Sequence, residues 1–377
     1  MLEVQKFLLN NSPEKLVEDF AIKINDYPED GIMMLNYNMI DSPKTHPITM
    51  ECRSLILSRN TYEVISRKFD RFFNLGENPE FYTDFDFENC YIMEKVDGSL
   101  TSVYWNPNTT KFEISTRSQA KAELIHEVGG SWRNMILNAF GFNSEEEFQN
   151  YFANISDSKT ITFIFEFVSP LNRIVTPYTE AEMVLIGGTI NNCGYSTDWL
   201  TKDQLDFYAN IFSDKNVRLP LFYTLTNHVN IRDVANNLSG LKEGFVLWDE
   251  KINKRVKVKS TAYLTAHRIR GENSKPTPKN ILTLIFTGEN DEFLVYFPEY
   301  KDLFAQQDIE ISRLNSALTD YWKFVKDVED QKTFANLVKN SPYSSIFFMA
   351  KKQNIHPLQL FHNLPVEKKL KYFNVLY

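Results

Sequence analysis

Cysteine is scarce in this 377-residue chain, which holds only Cys52, Cys90 and Cys193. An odd number with no metal-like spacing excludes a disulfide framework and a cysteine zinc site, and it points to reduced thiols in a cytoplasm. No apolar run approaches the ~18 residues of a membrane span. The start, Met1-Leu2-Glu3-Val4-Gln5, carries an acid and has no signal-peptide core. There is no Gly-x-x-x-x-Gly-Lys-[Ser/Thr] loop, no paired Cys-x-x-Cys, no His-Glu-x-x-His and no Gly-x-Ser-x-Gly. P-loop ATPases, zinc hydrolases and serine hydrolases are therefore set aside. The six histidines (His46, His126, His228, His267, His356, His362) form no ligand spacing and read as surface or core residues. Internal repeats and low-complexity tracts are missing too.

What remains is an ordinary globular composition, 43% apolar and 24% charged, with an unusual excess of aromatics at 14%, including 30 Phe. The length suggests two or three domains with ample material for a core. A net charge of −8 argues against a generally basic nucleic-acid coat but leaves room for a basic groove on an acidic body.

Along the chain, Ser12-Pro13 introduces a helix expected over Glu14–Ile24, and Ile32–Asn38 reads as a strand. Arg53 opens the strand-like run to Ser58, and Val64–Leu75 mixes cations with aromatics. Tyr91–Lys95 and Leu100–Trp105 flank Asp97-Gly98, a pattern that predicts a hairpin with a tight turn. Lys111–Arg117 continues a sheet, Ala120–Phe140 predicts a helix broken at Gly129-Gly130, and Ser144–Glu147 predicts a capping box. Thr160–Val168 and Met183–Ile190 have the near-continuous apolar character of strands covered on both faces. Thr201–Phe212 predicts a helix, and Leu241–Trp248 places Glu243-Gly244 before another apolar strand. Arg255, Lys257 and Lys259 alternate with Val256 and Val258, a pattern that by itself suits a solvated edge strand. Beyond His267 the composition changes. Lys275-Pro276-Thr277-Pro278 resembles a linker, and a stripe from Ile311 through Leu314, Leu318, Tyr321 and Val325 to Val328 predicts a long helix.

Two features are chemically odd. Lys95 stands beside a tight turn, where a plain surface lysine would also be tolerated. Glu166 lies inside the apolar run, on the face of Ile164 and Val168 by the period of two. A carboxylate buried there must have a cation, a metal or donors. Arg173 is one structural candidate partner. One amine, strand-borne Glu166 and Glu243, Arg53, and Lys257-x-Lys259 together make sense as phosphate chemistry.

In this order, Lys95-Val96-Asp97-Gly98-Ser99, Phe165-Glu166-Phe167-Val168, Glu243-Gly244-Phe245-Val246 and Val256-Lys257-Val258-Lys259 resemble motifs I, IIIa, IV and V of the covalent nucleotidyltransferases. More narrowly, Glu51-Cys52-Arg53, Phe72-Phe73-Asn74-Leu75-x-Glu77-Asn78-Pro79 and Asn172-Arg173-Ile174-Val175 resemble the phage tRNA-repair RNA ligases, family 1 of the ATP-dependent RNA ligases. The likeness is clear over about residues 30–265 and loose beyond.

The resemblance implies an α+β fold, with an antiparallel-sheet nucleotidyltransferase core over 1–265 and an all-helical RNA-recognition domain over 266–377. It implies ATP-dependent joining of 5′-phosphate and 3′-hydroxyl RNA ends through a lysyl-adenylate on Lys95, with Mg²⁺ or Mn²⁺. Tyr37, Arg53, Arg71, Arg117, Glu166, Glu243, Lys257 and Lys259 take nucleotide-binding roles, Asp291 a metal contact, and Asp97, Gly98 and Tyr263 supporting roles. A helix start equally explains the acids around Asp291. Arg71 and Arg117 stand where the family usually has lysine, which keeps charge but changes geometry. The implied partners are single-stranded RNA or nicked tRNA and an end-healing kinase/phosphatase. The implied setting is a monomer, off the membrane, in the cytoplasm of an infected host cell. A DNA ligase, a capping enzyme and a non-catalytic RNA-binding protein are the alternatives.

Overall fold

A computed structural model describes all residues except 127–129, 173, 177, 225–230, 239–241, 261–262, 265–276, 297 and 374–377. Arg173 and the start of the linker therefore lie outside the described residues. The chain divides into two compact units, Met1–Arg270 and Gly271–Tyr377.

The first unit carries three main sheets. The outer sheet runs β1 (Ile22–Tyr27), β2 (Ile32–Tyr37), β3 (Arg53–Ser58) and β4 (Val64–Ser66), all antiparallel. Two helices, α1 (Glu3–Asn10) and α2 (Pro13–Phe20), precede it. The expected helix to Ile24 stops at Phe20. Ala21 turns left-handed (φ 52°) and the next residues pair with β2, so strand pairing overrides local helical pattern.

The lysine stretch corrects the hairpin expectation. β5 (Tyr91–Lys95) and β6 (Ser99–Asn106) belong to different sheets. β6 pairs with β7 (Lys111–Thr116), and two short strands, β8 (Ile125–His126) and β9 (Gly130–Ser131), pair with each other. The large central sheet has the order β12-β11-β10-β6-β7, with β10 Ile161–Val168, β11 Glu182–Asn192 and β12 Ser196–Trp199. β13 (Val217–Arg218) adds to β11 in parallel. The remaining sheet is β14-β5-β15-β16, from β14 (Phe222–Tyr223), β15 (Gly244–Asp249) and β16 (Lys254–Lys259). Val96-Asp97-Gly98 is thus a crossing between sheets. Gly98 is required by closeness, since a Cβ there would lie 2.4 Å from the Phe167 carbonyl oxygen.

The phenylalanine excess has a structural destination. Phe163, Phe165 and Phe167 of β10 face a core with Phe140, Phe148, Phe152 and Phe212, where burial of each large ring contributes on the order of 2–3 kcal/mol. The alternate residues Ile164, Glu166 and Val168 face the other way, as the period of two requires. The helix expected from Ala120 forms only over Trp132–Phe140, because the amide of Ala122 is already donated to the carbonyl of Ile114. Ser144 caps the helix Glu145–Ala153, but Glu147 reaches the amide of Asn143 instead of closing the expected box.

The second unit is helical among its described residues. Its longest helix, Lys301–Val325, buries Phe304, Ile311, Leu314, Leu318 and Val325. Tyr321 is half-buried and donates to the carbonyl of Leu337, and Val328 lies past the helix end.

Candidate active site

Lys95, Gly244 and Lys259 stand in one row across β5, β15 and β16. Gly244 adopts φ 139°, and a Cβ there would sit 2.0 Å from the Val258 carbonyl oxygen, so no other residue fits between the two lysines. Glu243, just before it and only 4% exposed, reaches both. Its Oε1 lies 2.7 Å from Lys95 Nζ and 3.1 Å from Lys259 Nζ. Lys257 lies opposite Val246, which lies opposite Met93. Met93, Lys95, Val246, Lys257 and Lys259 line a cavity of about 530 Å³.

The facing wall comes from the central sheet. Leu100 of β6 pairs with Glu166 of β10, and both line the cavity with Ile186. Burial pushes the Glu166 carboxyl up to about 8; the charges of Lys95 and Arg53 oppose the rise, while Glu243 and Asp97 reinforce it. Leu124 and Trp132 extend the apolar part of the lining. An apolar slot with polar groups at one end suits a purine nucleotide.

The polar end is built by the outer sheet. Arg53 and Arg117 line the cavity beside Lys257 and Lys259. Arg117 donates to Asn36 and, at 3.1 Å, to Ser54, whose own hydroxyl donates to the Arg117 carbonyl at 2.6 Å. Arg71 and Arg117 approach the Tyr37 ring at 4.7 and 5.0 Å. Burial would raise the Tyr37 phenol, but Arg117, Arg53, Arg71 and Lys257 together bring it down to about 8. This much positive charge around one phenol marks an anion site.

Asp97 does not make the tight turn expected of it. It is 3% exposed, and its Oδ2 accepts from the amides of Val175 (2.9 Å) and Thr176 (2.7 Å). Its Oδ1 accepts from the Tyr263 hydroxyl at 2.8 Å, and the Tyr178 hydroxyl accepts from its amide at 3.1 Å. Tyr263 also packs its ring 5.4 Å from Lys259 Nζ. Asp97 and Tyr263 thus position the segments that carry the lysines.

Arg53, Lys95, Gly98, Arg117, Glu166, Lys257 and Lys259 therefore meet around one cavity, with Glu243 bonded beneath it and Tyr37 and Arg71 behind its polar end. Asp291 belongs to the second unit, in the helix Asn290–Tyr296, and accepts from the Asn290 side chain at 3.1 Å. Sequence reasoning missed Lys68, which is 1% exposed and donates to Ser115 Oγ at 2.7 Å and to the Thr116 carbonyl. It also missed Trp132 and read Arg255 as solvated, although Arg255 is 5% exposed. The strict alternation of β16 was the available signal for Arg255; Lys68 offered none, because its burial depends on the distant strand β7.

A family model for T4-type RNA ligases matches residues 51–263. A putative bifunctional polynucleotide kinase/RNA ligase of Autographa californica nuclear polyhedrosis virus is 30% identical over 381 residues, covering 98% of this chain and 53% of that protein. The chain thus spans about half the length of that viral relative. An RNA ligase of Rhodothermus phage RM378 is 23% identical over 376 residues, 85% of this chain and 82% of that one. Among solved structures, an archaeal ATP-dependent RNA ligase has a TM-score of 0.46 at 12% identity, covering 90% of this chain and 89% of that one. Naegleria gruberi RNA ligase with pyrophosphate has a TM-score of 0.41 at 15% identity, covering 54% and 58%.

Proposed function

This chain belongs to the RNA ligase family, and on that premise we propose that it joins 5′-phosphate and 3′-hydroxyl ends of single-stranded RNA with ATP, through an adenylate on Lys95. The observation that carries the reading is the row Lys95–Gly244–Lys259 with both amines on one oxygen of Glu243. A nucleophile needs a fixed approach and a partner for its proton, and Glu243 at 2.7 Å supplies both.

In the first step the Lys95 amine attacks the α-phosphorus of ATP. A phosphorus–nitrogen bond forms, the bond to the β-phosphate oxygen breaks, and pyrophosphate leaves. Arg53, Arg117, Lys257 and Lys259 neutralise the charge that builds on the phosphates. In the second step an RNA 5′-phosphate oxygen attacks the same phosphorus, releasing Lys95 and leaving a phosphoanhydride. In the third, a 3′-hydroxyl attacks the RNA phosphorus, forming the phosphodiester and expelling AMP.

Glu166 lines the cavity, while Glu243 is already held by Lys95 and Lys259, so a divalent cation, Mg²⁺ or Mn²⁺, would be held mostly through phosphate oxygens and water. When bound, the ion adds positive charge at the phosphates. Asp291 is proposed as a further metal contact and the helical unit as the part that recognises RNA, with a nicked tRNA as substrate. The kinase/ligase pairing in the viral relative's name supports a place after an end-healing kinase/phosphatase, in the cytoplasm of an infected host cell.

The test is incubation with ATP, Mg²⁺ and an RNA carrying a 5′-phosphate and a 3′-hydroxyl, with nicked duplex DNA alongside. Joined or circular RNA is expected. RNA left unjoined while nicked DNA is sealed would overturn the RNA reading.

A further inference from the structure

Past the polar end of the active-site cavity, the turn between β15 and β16 and the segment 67–72 enclose a second cavity of about 440 Å³. Phe69, Phe72 and Arg255 line both cavities, so the two share a wall. Phe72 is half-buried and carries the active-site cations Arg53 and Lys257 at 5.4 and 5.2 Å from its ring.

The second cavity is cationic on an acidic chain. Arg67, Arg71, Lys251, Lys254 and Arg255 line it against one carboxylate, Asp70, although the net charge of the protein is −8; at the rim, Asp84 bonds Lys254 and Asp86 lies 3.8 Å from Lys251. Asp70 is already engaged by Arg67 at 2.7 Å. Arg71 and Arg255 are 8% and 5% exposed, and among the described residues neither has a carboxylate partner. Arg71 Nη1 and Arg255 Nε also have no hydrogen-bond acceptor. Aromatic rings hold these cations in place. Arg255 lies 4.2 Å from the Phe69 ring, and Phe69 stacks on Trp199 at 5.6 Å with planes 10° apart. Asp70 and Glu250 offset the burial of Arg255 only in part, and a bound anion removes more of that cost.

Cations interleaved with partly exposed rings such as Trp199 and Phe81 are the chemistry of a single-strand groove, where phosphates meet cations and bases meet rings. We propose that this cavity holds the backbone of single-stranded RNA, guiding a strand end past Phe72 to Lys95. The proposal rests on the ligase reading above and names the route its polymeric substrate takes. Arg53, Arg117, Lys257 and Lys259 already provide for the phosphates of a nucleotide in the first cavity.

The test compares the full chain with the double variant Lys251→Ala/Lys254→Ala, which alters the groove's outer rim. Lys251 is 78% exposed and Lys254 27%. Fluorescence anisotropy with a 5′-phosphorylated single-stranded RNA reads binding across a salt series. The expected result is a loss of affinity of about tenfold and a salt slope shallower by roughly 1.4, two phosphate contacts at about 0.7 each. Unchanged affinity and slope, or a parent protein that binds no RNA, would overturn the groove. So would a loss confined to the ATP dependence of self-adenylylation, which would make it a nucleotide site. A parent that loses RNA affinity in the variant yet never takes up AMP leaves the groove standing and removes the ligase reading.

Discussion

Tyr263→Phe removes one hydroxyl and leaves the ring beside Lys259, so it isolates the bond to Asp97. That carboxylate is buried and accepts three hydrogen bonds, from the amides of Val175 and Thr176 and from the Tyr263 hydroxyl. A hydrogen bond to a charged group contributes about 1.5–3 kcal/mol, so the variant loses roughly that much stability. For a domain of this size the unfolding midpoint falls about 2–4 °C per kcal/mol. Asp97→Ala removes all three bonds and costs roughly 4–5 kcal/mol, less than the sum because the segments relax. In a double-mutant cycle the two sites couple by about 1–2 kcal/mol. Asp97 is two residues from Lys95, so losing the tie also loosens the nucleophile. Misplacement of a reacting group by ~1 Å costs on the order of a hundredfold in rate, and a tenfold slowing of self-adenylylation is expected for Tyr263→Phe. Thermal unfolding and a timed ATP-labelling assay read the two effects. A Tyr263→Phe protein that melts with the parent and shows no coupling to Asp97 would refute the positioning role.

Glu166→Gln tests the raised carboxyl. The unfolded group ionises near its ordinary 4.5 and the folded one near 8, so the parent's extra stability is complete below 4.5 and is lost as pH rises toward 8. Relative to the Gln variant, the parent should lose about 2–4 kcal/mol over that window after allowance for its contact with the open cavity; parallel melting curves would contradict this. Gly98→Ala forces a Cβ to 2.4 Å from the Phe167 carbonyl and 2.9 Å from Val168 Cγ1. It should cost about 3 kcal/mol and abolish labelling, and a stable, active variant would show that the crossing is looser than described. Lys68→Met replaces a buried amine whose ionisation burial holds well below 10.5. The variant should melt no lower than the parent at neutral pH, with any advantage shrinking as pH approaches 10.5; a large loss of stability at pH 7 would mean that the amine is needed there.

The parts of this fold that were legible in the sequence are those whose cause is local. The period of two in Thr160–Val168 put Glu166 on the face opposite the Phe core, and the β-branched runs marked most strands of the site. Asp97-Gly98 misled because the turn chemistry is the same whether the next strand folds back or enters another sheet; only the partners of Tyr91–Lys95 and Ser99–Asn106 decide that. Arg255 and Lys68 were obscure for a related reason. Their burial is created by Trp199, Phe69 and Ser115, which are remote in sequence from at least one of them. The helix expected from Ala120 failed where the segment 122–124 is committed to pairing with Ile114 and Trp132.

The central claim is that Lys95 carries the adenylate. Incubating the full chain with Mg²⁺ and ATP labelled in the α-phosphate, followed by denaturation and peptide mapping, tests it most directly. The account predicts one AMP on the peptide containing Lys95 and none on Lys95→Ala. Label on another residue, label that survives in Lys95→Ala, or a parent protein that takes up none would contradict it.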